Sequence, residues 1–200
     1  MQSLRPGASD PASAATARLI SPRVEAMPNP GLASGAPLEK FSRGQVANMR
    51  CMPETPEQQL RSFVAKFAPA MGLQIRECRS AMRRRFPAAN ELVYDNYNFF
   101  VIGYCTTERP SDCVVSLAAN SKGIGLSFYR GATLADPHRI LQGNGTQNRF
   151  VRLDGVATLS SSGVQELLDA AEAQADPPFV KTGRGKLIIR SVSEKQRPRR

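Results

Sequence analysis

Charged and aromatic residues are concentrated in different parts of this chain, and that separation limits which part can fold. Residues 54–175 hold eleven of the thirteen aromatic side chains, all except Phe41 and Phe179. The same stretch carries thirteen basic and twelve acidic residues, so the two flanking segments hold nine of the ten excess positive charges. Because a core needs large apolar side chains, we predict that 54–175 is the folded domain. A domain of this length can bury an adequate core without disulfides or metals.

Residues 1–53 have the composition of an extension that does not fold by itself. They contain seven prolines, four glycines and one aromatic residue, so they bury too little apolar area to offset the entropy lost on ordering. The segment has no apolar run typical of a secretory signal, although its Arg, Ser and Ala content leaves a transit peptide open. Met27, Met49 and Met52 leave a downstream start of translation open as well. We expect a disordered extension over 1–53.

Residues 176–200 are predicted to form a basic C-terminal arm. They hold eight basic and two acidic residues, which is typical of a solvated segment, and only the apolar triplet at 187–189 favours a short strand at a sheet edge. No apolar run in the chain is long enough for a transmembrane helix. Four cysteines are too few for a disulfide scaffold. We therefore expect a reduced, cytoplasmic protein without membrane contact.

The order of elements between 54 and 175 indicates an α+β fold. Apolar residues recur at steps of three and four from Leu60 to Phe86, with Thr55 as a candidate N-cap and a break at Pro69. Short strand-like runs follow at 92–94, 97–104, 113–119, 124–129 and 150–153, and helical spacing returns over 159–175. We predict an antiparallel sheet covered on one face by helices.

Three neighbouring stretches carry a resemblance to a known family. These are Phe128-Tyr-Arg-Gly-Ala-Thr-Leu-Ala-Asp-Pro137, Leu141-Gln-Gly-Asn-Gly145 and Arg149-Phe-Val-Arg-Leu153. Together with Pro87, the run 91–94 and the run 185–191, they resemble the YdhG-like domain, a bacterial family of uncharacterised proteins. The resemblance covers about 60–190 and implies a frataxin-like fold. Most of that family has no assigned activity, and one branch has been described as an intracellular iron chaperone.

The segment between residues 130 and 149 is the main candidate for a ligand site. It places three arginines, Arg130, Arg139 and Arg149, around a Gly-Asn-Gly run whose backbone amides can meet an anion. The alternative is that the glycines serve turn geometry alone. The predicted set for a small ligand or anion is Arg130, Gly131, Gly143, Asn144, Gly145 and Arg149, with Tyr94 across the sheet.

Nucleic acid is the second candidate partner, because basic residues are frequent before Pro87 and at the C-terminus. Contacts to phosphates would give weak, salt-sensitive and sequence-independent binding, and no nucleic-acid recognition motif accompanies them. The alternative is an exposed helix face and a solvated tail. The predicted contacts are Arg83, Arg84, Arg85, Lys195, Arg197, Arg199 and Arg200.

Metal binding and catalysis have less support in the sequence. An iron site favours clustered carboxylates, whereas the helix before Pro87 is strongly basic, so we assign no metal ligands and no cofactor. Cys105 and Cys113 are predicted to face each other near a hairpin loop as reduced structural thiols, since C-x-x-C spacing is absent. The single histidine, His138, has no sequence-near partner with which to activate a nucleophile.

These observations favour a non-enzymatic binding or chaperone-type domain that uses the 130–149 loop and the adjacent sheet face. An accessory nucleic-acid binder acting through its basic tails is the alternative, and weak iron handling, by analogy with frataxin-like relatives, is a third option. Removal of 176–200 should spare the first function, whereas the second should lose most of its affinity and of its salt dependence. The ligand and the oligomeric state stay open.

Overall fold

The computed structural model describes residues 53–200. The extension expected over 1–53 therefore lies, except for Pro53, outside the described residues. The helices are α1 (Pro56–Ala65), α2 (Pro69–Arg85), the short α3 (Val156–Leu159) and α4 (Ser162–Ala173). The strands are β1 (Asn90–Asp95), β2 (Phe100–Cys105), β3 (Cys113–Asn120), β4 (Gly123–Phe128), β5 (Arg149–Leu153) and β6 (Leu187–Val192). The α+β prediction is confirmed for these residues.

The first helix begins, and the second begins and ends, where the sequence predicts. The Thr55 hydroxyl accepts a hydrogen bond from the Gln58 backbone amide, and the Gln58 side chain accepts one from the Thr55 amide, which is a capping box. Pro69 starts α2 in the first turn, where its missing amide hydrogen costs nothing. The expected break between the helices is thus confirmed, and α2 ends at Arg85 before Pro87.

The six strands form one sheet in the order β5-β4-β3-β2-β1-β6. Neighbours from β1 to β5 are antiparallel, and β3 and β4 are joined by the tight hairpin expected at 120–123. The prediction of a purely antiparallel sheet is wrong, because β6 pairs with β1 in parallel. The Gly185 amide donates to the Pro87 carbonyl (3.0 Å) and the Glu91 amide to the Lys186 carbonyl (2.8 Å). These contacts align the chain entering β6 with the chain entering β1, so the two strands run in one direction.

Helices cover one face of the sheet. Phe63 and Phe67 pack against Phe100 of β2, with ring centroids 6.3 and 6.1 Å apart respectively. Inward residues along one register row, from Val93 through Ile102 and Leu117 to Leu126 and Val151, are buried with apolar residues of α1, α2 and α4. The alternate residues of the strands lie on the opposite face, called the open face below.

The C-terminal segment differs from the expected solvated arm beyond residue 175. It supplies β6, and the compact unit continues to Arg200. Arg199 is 6% exposed and its guanidinium contacts the carboxylate of Asp95, which is 0% exposed. Lys66 Nζ (2.5 Å) and Gln196 Nε2 (2.7 Å) bind the same carboxylate. The physical reason is that a buried carboxylate requires cationic and hydrogen-bonding partners, and the C-terminal segment provides two of the three.

Candidate functional site

The structure gives two arginines of the predicted 130–149 ligand site, Arg130 and Arg149, internal partners. The Arg149 guanidinium donates to the Gly145 carbonyl and to the Asn148 carbonyl, the latter at 2.9 Å. Arg130 Nη1 donates to the Gln174 carbonyl at 3.3 Å. These hydrogen bonds hold the loop in its conformation and attach it to the end of α4. The two guanidinium groups therefore have a structural role.

Glycine is required at two predicted positions for reasons of space and backbone geometry. A Cβ on Gly131 would lie 2.6 Å from Arg149 Cβ, and Gly143 has φ +100°. Asn144 and Gly145 are exposed. Close packing explains Gly131 and turn geometry explains Gly143, so neither glycine requires a ligand as its explanation.

Tyr94 is not part of the same site as the loop. It belongs to β1, whereas Arg149 begins β5, and three strands separate them. At the usual strand spacing this places the two strands about 19 Å apart. Tyr94 also lies on the open face, whereas Arg149 is on the same side of β5 as buried Val151. The structure does not bring the predicted ligand set together.

The residues predicted to contact nucleic acid lie on separate surfaces, and several of them have internal partners. Arg85 binds Asp169 and Glu172 of α4, each at 2.6 Å. Arg199 is buried on Asp95, and Arg200 donates to the Ala65 carbonyl at 2.9 Å. Arg197 lies 5.5 Å from the Tyr97 ring, and Lys195 is exposed. Arg83 and Arg84 belong to a different surface, the α1–α2 side of the molecule. Arg197, Arg199 and Arg200 line one groove with Lys66, so the predicted contacts are divided between separate surfaces.

A groove on the open face is a candidate site that the sequence did not predict, and we call it the sheet groove. It has a volume of about 650 Å³ and extends from the β1–β2 turn to β5. The turn is closed by a hydrogen bond from the Asn96 amide to the Phe99 carbonyl (3.0 Å). Three strand spacings, roughly 14 Å, separate β2 from β5, and this width accommodates a fused ring system.

Small residues form the floor of the sheet groove. Two register rows cross it, one through Ala118 and Gly125 to Arg152, and the other through Ser116 and Ser127 to Phe150. Since no large side chain rises from the two central strands, the edges stand above the floor. A Cβ on Gly125 would lie 3.6 Å from the Val151 carbonyl oxygen and 4.0 Å from Phe150 Cδ2, so the Phe150 ring stands directly beside this part of the floor.

Aromatic side chains stand at the edges of the sheet groove. Tyr97 and Phe99 on one side are 47% and 43% exposed, and Phe150 on the other side is 37% exposed. Large exposed aromatic residues around a concave surface are typical of a binding site. Sequence reasoning missed this groove. The signal that could have found it is the alternation of small outward residues with large apolar residues along β3 and β4.

The charge of the sheet groove is positive. Lys122 in the β3–β4 turn and Arg152 on β5 are its ionisable residues, and no carboxylate belongs to the part of its lining that the structure describes. Both cations are exposed. The arrangement suits a ligand with an apolar ring and an acidic group, because an Arg fork binds a carboxylate, sulfonate or phosphate with two hydrogen bonds.

The thiols expected to face each other are confirmed as neighbours. Cys105 pairs with Cys113 across β2 and β3. The hydrogen bond with Cys113, together with burial, raises the pKa of the Cys105 thiol well above its ordinary value. Cys113 Sγ donates to the Val115 carbonyl at 3.3 Å. The Cys105 thiol is thus held in the protonated form, which is poorly nucleophilic.

Other classes of site find little support in residues 53–200. Within that range no three His, Cys, Asp or Glu side chains group as metal ligands. His138 Nε2 lies 3.1 Å from Glu166 Oε2, and both side chains are about half exposed. None of the described helices combines the length and the apolar character needed to cross a membrane.

Comparisons of the chain with family models, curated proteins and solved structures find no match.

Proposed function

We propose that this protein is a non-enzymatic binding domain whose sheet groove takes a small ligand with a flat apolar ring system and one anionic group. The observation that carries the proposal is a floor of small residues between exposed aromatic side chains, with Lys122 and Arg152 as the charged groups of the lining. This assignment keeps the predicted use of the sheet face next to the 130–149 loop. It moves the site from the loop itself to the open face.

The chemistry of the groove supports this ligand class. A ring placed on Ala118 and Gly125 can approach the sheet closely, because neither side chain extends beyond one carbon atom. Its edge then meets Phe99 or Phe150, in a contact worth about 1 kcal/mol beyond area burial. The acidic group reaches Arg152 or Lys122. A neutral ring lacks that last contact and should bind more weakly.

Membership of the YdhG-like family, with its frataxin-like fold, is part of this proposal, as is a cytoplasmic location. Its support is the α+β architecture of the described part, in which two helices, five antiparallel strands and two further helices precede β6. Cys78, Cys105 and Cys113 are free thiols, which fits a reducing compartment. Nucleic-acid binding through the tails and iron handling are not carried forward. Arg199 is bound to Asp95 and Arg200 to a backbone carbonyl, and no three His, Cys, Asp or Glu side chains group as metal ligands among the described residues.

The experiment is a fluorescence titration of the full chain with naphthalene sulfonate, compared with neutral naphthol. We expect saturable one-to-one binding of the sulfonate, with the neutral ring bound at least about fivefold more weakly, since about 1 kcal/mol of charge-assisted contact is lost. Gly125→Val should abolish binding, because the valine side chain fills the floor of the groove. The variant should still fold, because valine is favoured in β-strands. Arg152→Gln should weaken sulfonate binding by about five- to tenfold.

Arg130→Gln is the matched control, because it removes one positive charge outside the groove. Unchanged affinity in this control, together with loss in Gly125→Val, supports the proposal. Equal affinity of Gly125→Val and the unmodified chain, with the same unfolding temperature, would contradict it. So would equal binding of the sulfonate and the neutral ring.

A further inference from the structure

A second groove lies between the solvent-facing sides of α1 and α2, with a volume of about 690 Å³. We call it the arginine groove. The positions Arg76, Arg79 and Arg83 recur at steps of three and four on α2, so they share one helix face. The guanidinium-bearing residues that line the groove are Arg61, Arg76, Arg79, Arg83, Arg84 and Arg184.

Two of these arginines are structural. Arg79 is 9% exposed, and it binds Glu91 through Nε (2.9 Å) and Nη2 (2.7 Å) and Glu57 through Nη1 (2.7 Å). Arg83 Nη1 contacts Glu91 Oε2 at 2.5 Å. The hydrogen bond from Arg79, with the nearby charges of Arg83 and Arg61, lowers the pKa of Glu57, against the effect of burial. Glu57 is therefore an ionised partner of Arg79, and Glu91 is held by the guanidinium groups of both Arg79 and Arg83.

The other four arginines are exposed and have no carboxylate within salt-bridge distance in the part of the chain that the structure describes. They are Arg61, Arg76, Arg84 and Arg184. The Arg84 guanidinium donates to the Ser80 hydroxyl at 2.8 Å. Six arginines against Glu57 and Glu91 leave a net charge of +4 in the groove. Such a concentration of like charge is unfavourable without an anion to offset it.

Two backbone features position Arg76 and Arg184. A Cβ on Gly72 would lie 3.4 Å from Arg76 Nη1, so the absence of a side chain there lets this guanidinium lie against α2. The Gly185 amide donates to the Pro87 carbonyl at 3.0 Å, which holds Arg184 beside the end of α2. The four free guanidinium groups thus come from three segments of the chain and line one concave surface.

We infer that the arginine groove is a binding site for a short chain of linked phosphates. The fork of an Arg guanidinium matches two phosphate oxygens, and several arginines on a concave surface match several linked phosphates. The groove charge of +4 is close to that of an ionised triphosphate with the opposite sign. No aromatic residue belongs to the described lining, so the groove offers no platform for base stacking. This absence favours a free oligophosphate over single-stranded nucleic acid.

The test is calorimetry of the full chain with inorganic tripolyphosphate, orthophosphate and a single-stranded oligothymidylate at one fixed salt concentration. We expect tripolyphosphate to bind one-to-one, at least about tenfold more tightly than orthophosphate. The double variant Arg76→Gln/Arg184→Gln should weaken it at least about tenfold, since two exposed charge-assisted contacts are lost. Arg109→Gln, which removes an exposed charge outside the lining of the groove, should change affinity by less than about twofold.

Several outcomes would overturn the inference. These are no heat with tripolyphosphate, equal weakening by Arg109→Gln and by the double variant, or oligothymidylate binding tenfold more tightly than tripolyphosphate. The last result would assign the groove to nucleic acid. The inference is independent of the sheet groove, because Gly125→Val should retain tripolyphosphate binding and the double variant should retain naphthalene sulfonate binding.

Discussion

At the level of single residues, Gly131 illustrates how a glycine in a candidate loop is explained by packing. A Cβ there would lie 2.6 Å from Arg149 Cβ and 2.9 Å from its backbone nitrogen. Gly131→Ala should therefore lower the free energy of unfolding by about 1–3 kcal/mol. Gly145→Ala is the matched control, because its Cβ would have no neighbour closer than 3.8 Å. Urea denaturation of both variants measures the difference, and equal stability of the two would contradict the packing argument.

The buried thiol of Cys78 makes the folding stability of the protein decrease at alkaline pH. Its side chain is 0% exposed, and burial raises the pKa of the thiol from about 9 to about 11. The folded state holds this proton more tightly than the unfolded chain does. The contribution of the protonated thiol to the free energy of unfolding is therefore complete below pH 9 and is lost as pH rises towards 11. We expect Cys78 to account for about 2 kcal/mol of the stability lost over that interval.

The measurement is the free energy of unfolding at several pH values in the unmodified chain and in Cys78→Ala. The variant is less stable at neutral pH because of the cavity, but its stability should fall less steeply between pH 9 and 11. Parallel curves over that interval would show that Cys78 does not titrate as the structure predicts.

At the level of elements, the C-terminal segment stabilises the end of β1 through Asp95. Arg199→Ala leaves this buried carboxylate with two of its three side-chain partners, so we expect a loss of about 3 kcal/mol. Arg200→Ala is the control, since Arg200 is exposed and contacts only the Ala65 carbonyl in the described structure. Thermal unfolding compares the two variants.

Asp95→Asn in the Arg199→Ala background should restore part of the lost stability, because the unpaired charge is removed. Identical unfolding temperatures for Arg199→Ala and Arg200→Ala would contradict the account of Asp95. Removal of 176–200 was expected from the sequence to leave the folded domain functional. The structure predicts instead that it destabilises the fold, because it deletes β6 and two partners of Asp95.

Local sequence signals predicted most elements but not how the sheet is completed. The capping box at Thr55, the break at Pro69 and the hairpin at 120–123 depend on neighbouring residues, so their positions were readable. The apolar run in β6 was also readable, as a short edge strand. Its parallel pairing with β1 was not, because the two strands lie almost a hundred residues apart and their direction depends on the path of the intervening chain.

At the level of the whole molecule, the site was harder to predict than the fold because sites combine distant segments. Arg130 and Arg149 lie near glycines in sequence, but backbone carbonyls already bind both guanidinium groups. The sheet groove instead joins the β1–β2 turn to β5, and its floor consists of small residues with no chemical signal of their own. The arginines on α2 were visible in the sequence, but their groove also requires α1 and Arg184.

The most direct test of the sheet groove is nuclear magnetic resonance of the isotope-labelled full chain during titration with naphthalene sulfonate. We predict that the amide shifts concentrate at Phe99, Ala118, Gly125, Phe150 and Arg152, and that the amides of α1 and α2 stay unchanged. The same titration of Gly125→Val should leave the spectrum unaltered. Shifts centred on the 130–145 loop or on the helices, with the floor residues unperturbed, would contradict the assignment of the ligand site to the open face.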